Sequence, residues 1–189
     1  MRGVSFDLDG TLYDYARSHR AGLARAARAA CRWMYFHELA VAEGDRAPLL
    51  VASKPERAYW EGFYAVMEPL PGVLDVLALF RRQSFRLAVT TDMTTAIQCE
   101  KLERLRLHDF FDVVVTSEEA GHEKPHPAIF ALSCKRLGLR PCDIVHIGDD
   151  YARDARGARA AGMKAIWFSP SAAAGRTAMR AFVDLPALL

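Results

Sequence analysis

Cysteine is scarce, and what there is lacks pattern. Cys31, Cys99, Cys134 and Cys142 form no C-x-x-C spacing, and together with the six histidines they make no zinc-finger set. Zinc and a disulfide framework are therefore not expected. No apolar run approaches the ~20 residues of a membrane span. Nothing ahead of the first strand has the charged and apolar segments of a signal peptide, so reduced thiols and a cytoplasmic location are expected. Lysine is also rare, five residues against twenty arginines, and the arginines are spread along the chain without a run resembling a nucleic-acid tail. With a net charge of only +2, no nucleic-acid polymer and no membrane is expected as partner.

What remains is 189 residues at 51% hydrophobic and 25% charged, enough for one globular core plus a small accessory module. The stretch that organises it is Val4-Ser5-Phe6-Asp7-Leu8-Asp9-Gly10-Thr11-Leu12. Gly3 to Phe6 reads as a short buried strand closed by a Gly-Thr turn. Asp7 and Asp9 follow two residues apart, which in extended chain sends both carboxylates to one side. An EF-hand calcium loop fails, because the twelfth residue from Asp7 is Ser18 rather than a bidentate Glu.

From Tyr15 to about Phe36 the spacing predicts one long amphipathic helix. Arg17, Arg20, Arg25, Arg28 and Arg32 form a solvated arc, and Leu23, Ala26, Ala27, Ala30, Trp33 and Met34 form the apolar one. Gly44 to Pro48 reads as a break. A second helix runs from Pro55 to about Met67, with Tyr59, Trp60, Phe63 and Tyr64 as its core face.

After the turn at Pro69 to Gly72 the pattern changes to alternating helix and strand. Helices are predicted over Gly72–Gln83, Thr94–Leu107, Ala128–Leu137 and Tyr151–Ala161. Strands are predicted over Arg86–Thr91, Asp112–Thr116, Asp143–Ile147 and Met163–Phe168, with a loop from the third strand to Pro127 and a short tail helix near Thr177. This alternation argues an α/β architecture of about five parallel strands with helices on both faces. The helical pair is then an insertion between the first two strands.

Chemistry-bearing residues recur at the strand ends, where open parallel sheets hold ligands. Thr90-Thr91-Asp92 closes the second strand, with either hydroxyl suited to an anion beside free backbone N–H groups. Lys124-Pro125 follows the third. Gly148-Asp149-Asp150 to Asp154 follows the fourth, where at least one acid serves as a helix cap. Asp7, Asp9 and Asp149 at one edge would repel one another without a cation, and all-oxygen donors favour Mg²⁺.

Four segments, taken in order, resemble the haloacid dehalogenase superfamily of phosphohydrolases. They are Phe6 to Leu12, Val89 to Asp92, Glu123 to Phe130, and Gly148 to Asp154 with Gly157-Ala158 and Ala161-Gly162. The resemblance implies a Rossmann-like core domain, residues 1–13 and 70–189, with a small α-helical cap at 14–69. It also implies Mg²⁺-dependent cleavage of a small phosphorylated metabolite through an aspartyl-phosphate, in a monomer or homodimer. Asp7 would be the nucleophile, and Asp9 would protonate the leaving alcohol and then activate water. Thr91, Asp92 and Lys124 would form the phosphate-binding set, with Asp92 standing where the family often has Asn. Asp7, Asp9 (through its main-chain carbonyl) and Asp149 would hold the metal, with Asp154 as supporting acid.

Other members break other bonds. A carbon–halogen hydrolase needs no metal, and Asp9 and Asp149 speak against it. A phosphonate hydrolase would need Lys54 as its imine-forming cap lysine. A phosphomutase shares every core residue, and a catalytically silent binding protein would have no chemical need for Asp7, Asp9, Lys124 and Asp149 together.

Overall fold

Short runs of apolar and β-branched residues form the five strands of a single parallel sheet, as in other folds where helices cover both sheet faces. In this computed structural model, residues 2–42, 57–170 and 178–188 are described, with side chains in the first helix described as far as Arg28. The expected break at Gly44–Pro48, Lys54, Pro55 and the expected tail helix at Thr177 lie outside the described residues.

Strand β1 (Gly3–Phe6) is central and fully buried. It pairs in parallel with β2 (Arg86–Thr91) on one side and β4 (Ile144–Gly148) on the other. With β3 (Val113–Thr116) and β5 (Lys164–Trp167) outermost, the order is β3-β2-β1-β4-β5. Phe6 aligns with Val89 and with Ile147, so the residues that follow β1, β2 and β4 emerge at one edge. That alignment positions the site.

Helix α3 (Val73–Arg82) buries Val73, Val76, Leu77 and Phe80, the apolar stripe its spacing predicts. Helix α6 (Pro127–Leu137) contributes Ile129, Phe130, Cys134 and Leu137 to a cluster with Ala88, Val115, Ile144, Ala158 and Met163.

Several boundaries differ from expectation. Helix α4 (Thr95–Arg104) stops short of Leu107, because Arg106 adopts φ 56° and a 3-10 turn follows at His108–Phe110. Asp112 lies before β3 rather than in it, its carboxylate accepting from Leu87 N and Arg81 Nη1 at 2.8 and 2.9 Å. The expected loop before Pro127 opens with a helical turn, α5 (Ser117–Ala120), capped by the Thr116 hydroxyl. The expected 151–161 helix begins as a wide π-type turn at Tyr151–Arg156 before α7 (Gly157–Ala160). Beyond β5, a 3-10 turn at Phe182–Asp184 and α8 (Leu185–Leu188) close the chain, with Phe182 stacked 6.3 Å from Phe6.

Contacts divide the chain into two compact units, residues 1–13 with 68–189 and residues 14–67. The second contains α1 (Tyr15–Ala42) and helix α2 (57–64). Arg17, Arg20, Arg25 and Arg28 are exposed; of the apolar arc, Ala30, Trp33 and Met34 lie outside the described side chains. Leu23 is 50% exposed and Ala27 is exposed. Gly22 lies so close to α2 that a Cβ there would sit 2.8 Å from the Tyr59 ring. His19 Nδ1 meets Tyr59 Oη at 2.7 Å, and Tyr15 packs edge-on against Phe63. In this described part of α1, close backbone approach at a small residue sets what faces α2. Of the four aromatics of α2, Phe63 alone is fully buried.

One test sits within a single helix. Leu77→Ala removes a fully buried side chain and leaves a cavity, which should lower unfolding stability in urea by about 2–5 kcal/mol. Leu74→Ala, at a position 46% exposed, should stay within about 0.5 kcal/mol.

Candidate active site

Asp7 follows β1 directly, its N–H donating to Ile147 O at 2.8 Å, and its side chain is buried. Lys124, 117 residues away in the chain, places Nζ 2.6 Å from Asp7 Oδ1 and 2.7 Å from Asp154 Oδ1. All three side chains are buried. Such a group is stable only when charges are paired and hydrogen-bonded. Asp154 is held from further sides by His146 Nε2 at 3.2 Å and by the N–H of Asp150 at 3.1 Å.

Asp149 completes the acidic group, and one carboxylate oxygen from each of Asp7, Asp149 and Asp154 lies within 4.8 Å of the others. Thr11 donates to Asp149 Oδ1 at 3.3 Å. Gly10 makes this approach possible. Its φ is +81°, which favours glycine, and a Cβ would fall 2.4 Å from Asp149 Oδ2.

The electrostatics divide these acids. Burial pushes the Asp7 carboxyl well above its ordinary range; Lys124 opposes this, and the charges of Asp154 and Asp9 add to it. Burial also raises Asp149, reinforced by Asp154. At Asp154 burial acts upward too, but Lys124 and His146 outweigh it and hold the carboxyl below the usual carboxylate range. Burial acts to lower Lys124, yet Asp7 and Asp154 together raise it above an ordinary lysine. Burial lowers His146, against the pull of its hydrogen bond to Asp154.

Asp9 lies in a second ion pair. Lys101 Nζ sits 2.7 and 2.9 Å from its two carboxylate oxygens, Gln98 Nε2 donates to Oδ2 at 3.1 Å, and Tyr13 Oη donates to Oδ1. Gln98 Nε2 also reaches Thr91 Oγ1 at 2.7 Å.

A sequence profile of haloacid dehalogenase-like hydrolases matches residues 1–162. The chain belongs to that family. Two phosphatases are similar over most of their length. The ribulose-1,5-bisphosphate 5-phosphatase of Halopiger xanaduensis is 34% identical, over 89% of this chain and 84% of its own. The glyceraldehyde 3-phosphate phosphatase of Methanothermobacter thermautotrophicus is 33% identical, over 88% and 84%. Among solved structures, a haloacid dehalogenase phosphatase from Thermococcus onnurineus matches with a TM-score of 0.73 at 23% identity, covering 100% of this chain and 97% of its own; that likeness concerns the fold. This haloacid dehalogenase-like protein is thus a hydrolase of the phosphatase branch.

Within this family frame, the fold gathers Asp7, Asp149, Asp154 and Lys124 into one contact group, and Asp9 and Thr91 into an adjoining one bridged by Gln98. Of the two threonines, Thr90 is occupied in the interior, bonded to Ser5 Oγ at 2.8 Å and Ser133 Oγ at 2.9 Å. The side chain of Asp92 has both oxygens engaged, by Lys124 N–H at 2.9 Å and Arg153 Nη2 at 2.5 Å. It anchors the loop that carries Lys124. Asp150 is the cap, accepting from Ala152 N and Arg153 N.

Sequence reasoning missed Gln98, Lys101, Tyr13, His146 and Arg153. The available signals were an i, i+3 polar pair within α4 and a lone histidine inside the apolar run Ile144 to Ile147.

Lys124→Met tests the central ion pair. In the wild type, the depressed Asp154 carboxyl contributes stability that is present above the ordinary aspartate pKa and lost as pH falls below it. The variant leaves two buried acids without a cation, so their pKa values rise and their ionisation destabilises the fold as pH increases. Urea unfolding in chelator should show a deficit of about 3–5 kcal/mol near neutrality, shrinking as the pH is lowered towards 5.

Proposed function

We propose that the protein is a divalent-metal-dependent phosphatase that hydrolyses a small phosphate monoester, of the short sugar-phosphate kind, through an aspartyl-phosphate on Asp7. The observation that carries this reading is the Lys124 ammonium held between the buried Asp7 and Asp154, with Asp149 alongside. A carboxylate attacking a phosphate monoester dianion meets its own charge, so cationic groups must be in place before the nucleophile can come in line.

The donor chemistry fits a hard cation: clustered carboxylate oxygens, no sulfur and no imidazole within the group. Asp7, Asp149 and the main-chain carbonyl of Asp9 would hold Mg²⁺. Asp154, whose oxygens accept from Lys124, His146 and Asp150 N–H, would act as the support that aims Lys124. Bound there, the metal would supply positive charge against the phosphoryl oxygens.

The chain's own residues would do the rest. In a turnover that starts with the Asp9 carboxyl carrying a proton, Asp7 attacks phosphorus as the P–O ester bond breaks, and the leaving oxygen takes that proton. Asp9, now a base, removes a proton from water, which attacks the aspartyl-phosphate, releases inorganic phosphate and restores Asp7. Lys124 and the Thr91 hydroxyl would steady the transferring group.

The relatives named for ribulose-1,5-bisphosphate and glyceraldehyde 3-phosphate support the substrate class, and the family's core residues treat only the phosphoryl group. The free thiols of Cys99, Cys134 and Cys142 suit a reducing, cytoplasmic setting. Among the described residues no helix is long and apolar enough to cross a membrane.

Hydrolysis of 4-nitrophenyl phosphate and of a panel of phosphorylated three- to six-carbon metabolites checks this. Wild type should be active in Mg²⁺ and inactive in excess chelator. Asp7→Asn should lose at least 10³-fold in kcat, on the scale of removing a covalent nucleophile. Full activity of that variant would exclude Asp7 as nucleophile.

A further inference from the structure

The proton transfers assigned to Asp9 raise the question of what keeps its carboxylate in place, and the answer rests on the phosphatase reading above. Asp9 lies at the end of a strand in a tight turn, with a side chain that could adopt several staggered rotamers. General acid catalysis needs it within about 2.6–3.2 Å of the leaving oxygen. A loosely held carboxylate would spend most of its time elsewhere.

Beside the Tyr13 hydroxyl, which donates to Asp9 Oδ1, helix α4 supplies two further restraints. Lys101 is 0% exposed, an unusual place for an ammonium, and its Nζ straddles both oxygens of Asp9 at 2.7 and 2.9 Å. Burial lowers the Lys101 pKa, and the Asp9 charge opposes that change. A surface role would need no such burial. Gln98, three residues earlier and also 0% exposed, has its amide nitrogen, with two N–H donors, among three acceptors, Asp9 Oδ2, Thr91 Oγ1 and Asp92 O at 3.1, 2.7 and 2.6 Å. The spacing i, i+3 puts both on one face of α4. One helix face therefore ties the acid–base carboxylate to the hydroxyl of the phosphate set.

We propose that Lys101 and Gln98 are positioning residues that hold the Asp9 carboxylate in register with the ester oxygen, acting on the reaction only through Asp9. The consequence depends on the leaving group. An alkoxide is strongly basic and needs its proton as the P–O bond breaks, whereas 4-nitrophenolate leaves nearly unaided. Misplacing Asp9 should therefore penalise alkyl esters selectively, and the effect should show in kcat/KM, which reports the first phosphoryl transfer.

The experiment compares kcat/KM in Mg²⁺ for 4-nitrophenyl phosphate and for the best alkyl phosphate of the metabolite panel, using the full chain. Lys101→Met should lose at least tenfold more on the alkyl ester than on the aryl ester. Lys101→Arg, which keeps the charge, should recover part of that difference. In the Asp9→Asn background Lys101→Met should add little, as expected for residues acting as one unit. Equal losses on both esters, or additive losses in the double variant, would overturn the proposal and leave Lys101 a stability residue. If Lys101→Met does not fold, Gln98→Met carries the same comparison. A wild type inactive on both esters would instead remove the phosphatase reading itself.

Discussion

A single lysine held between two buried carboxylates is the constraint on which the rest of the site depends. Taking Asp7 and Asp154 out of water is unfavourable for each alone, and bringing them together adds repulsion. The Lys124 ammonium, 2.6 and 2.7 Å from them, is what allows both to occupy the sheet edge. The arrangement reaches back into the core. Asp154 bonds His146, His146 bonds Ser5, Ser5 bonds Thr90, and Thr90 bonds Ser133 on α6. A polar chain across three neighbouring strands thus links the Lys124 ion pairs to the body of the fold, and every member is buried. Buried networks of this kind are rigid when satisfied and costly when broken.

The adjoining pair of Asp9 and Lys101 follows the same logic with a different outcome. Lys124 is raised and Lys101 lowered, although both are buried ammonium groups facing carboxylates. The difference lies in the number of acids. Lys124 faces two carboxylates within hydrogen-bond distance, enough to outweigh burial, and Lys101 directly faces one. Two lysines of a chain that has only five are used inside the site.

The strands were legible because buried parallel strands read as short apolar runs bounded by helices, and β1 and β2 fall where that pattern puts them. Helix ends were less legible. Where α4 stops is decided by a positive φ at Arg106, and where β3 starts is decided by an Asp112 carboxylate turned to Leu87 N and Arg81. In the described part of α1, hydrophobicity marks Leu23, which is half exposed, whereas Gly22 fits against Tyr59.

By itself the sequence determined which acids and which lysine stand at the strand ends, since strand spacing and the order of motifs place Asp7, Asp9, Lys124 and Asp149 without reference to distant contacts. Only the tertiary structure decided what each side chain does there. It turned the Asp92 side chain to Arg153 and the Lys124 backbone, gave Thr90 to the core, and brought Gln98 and Lys101 to Asp9. The physical reason is that a local pattern sets where a side chain starts, but its partner is whichever complementary group the fold brings within about 3 Å. Here those partners lie as far as 141 residues away.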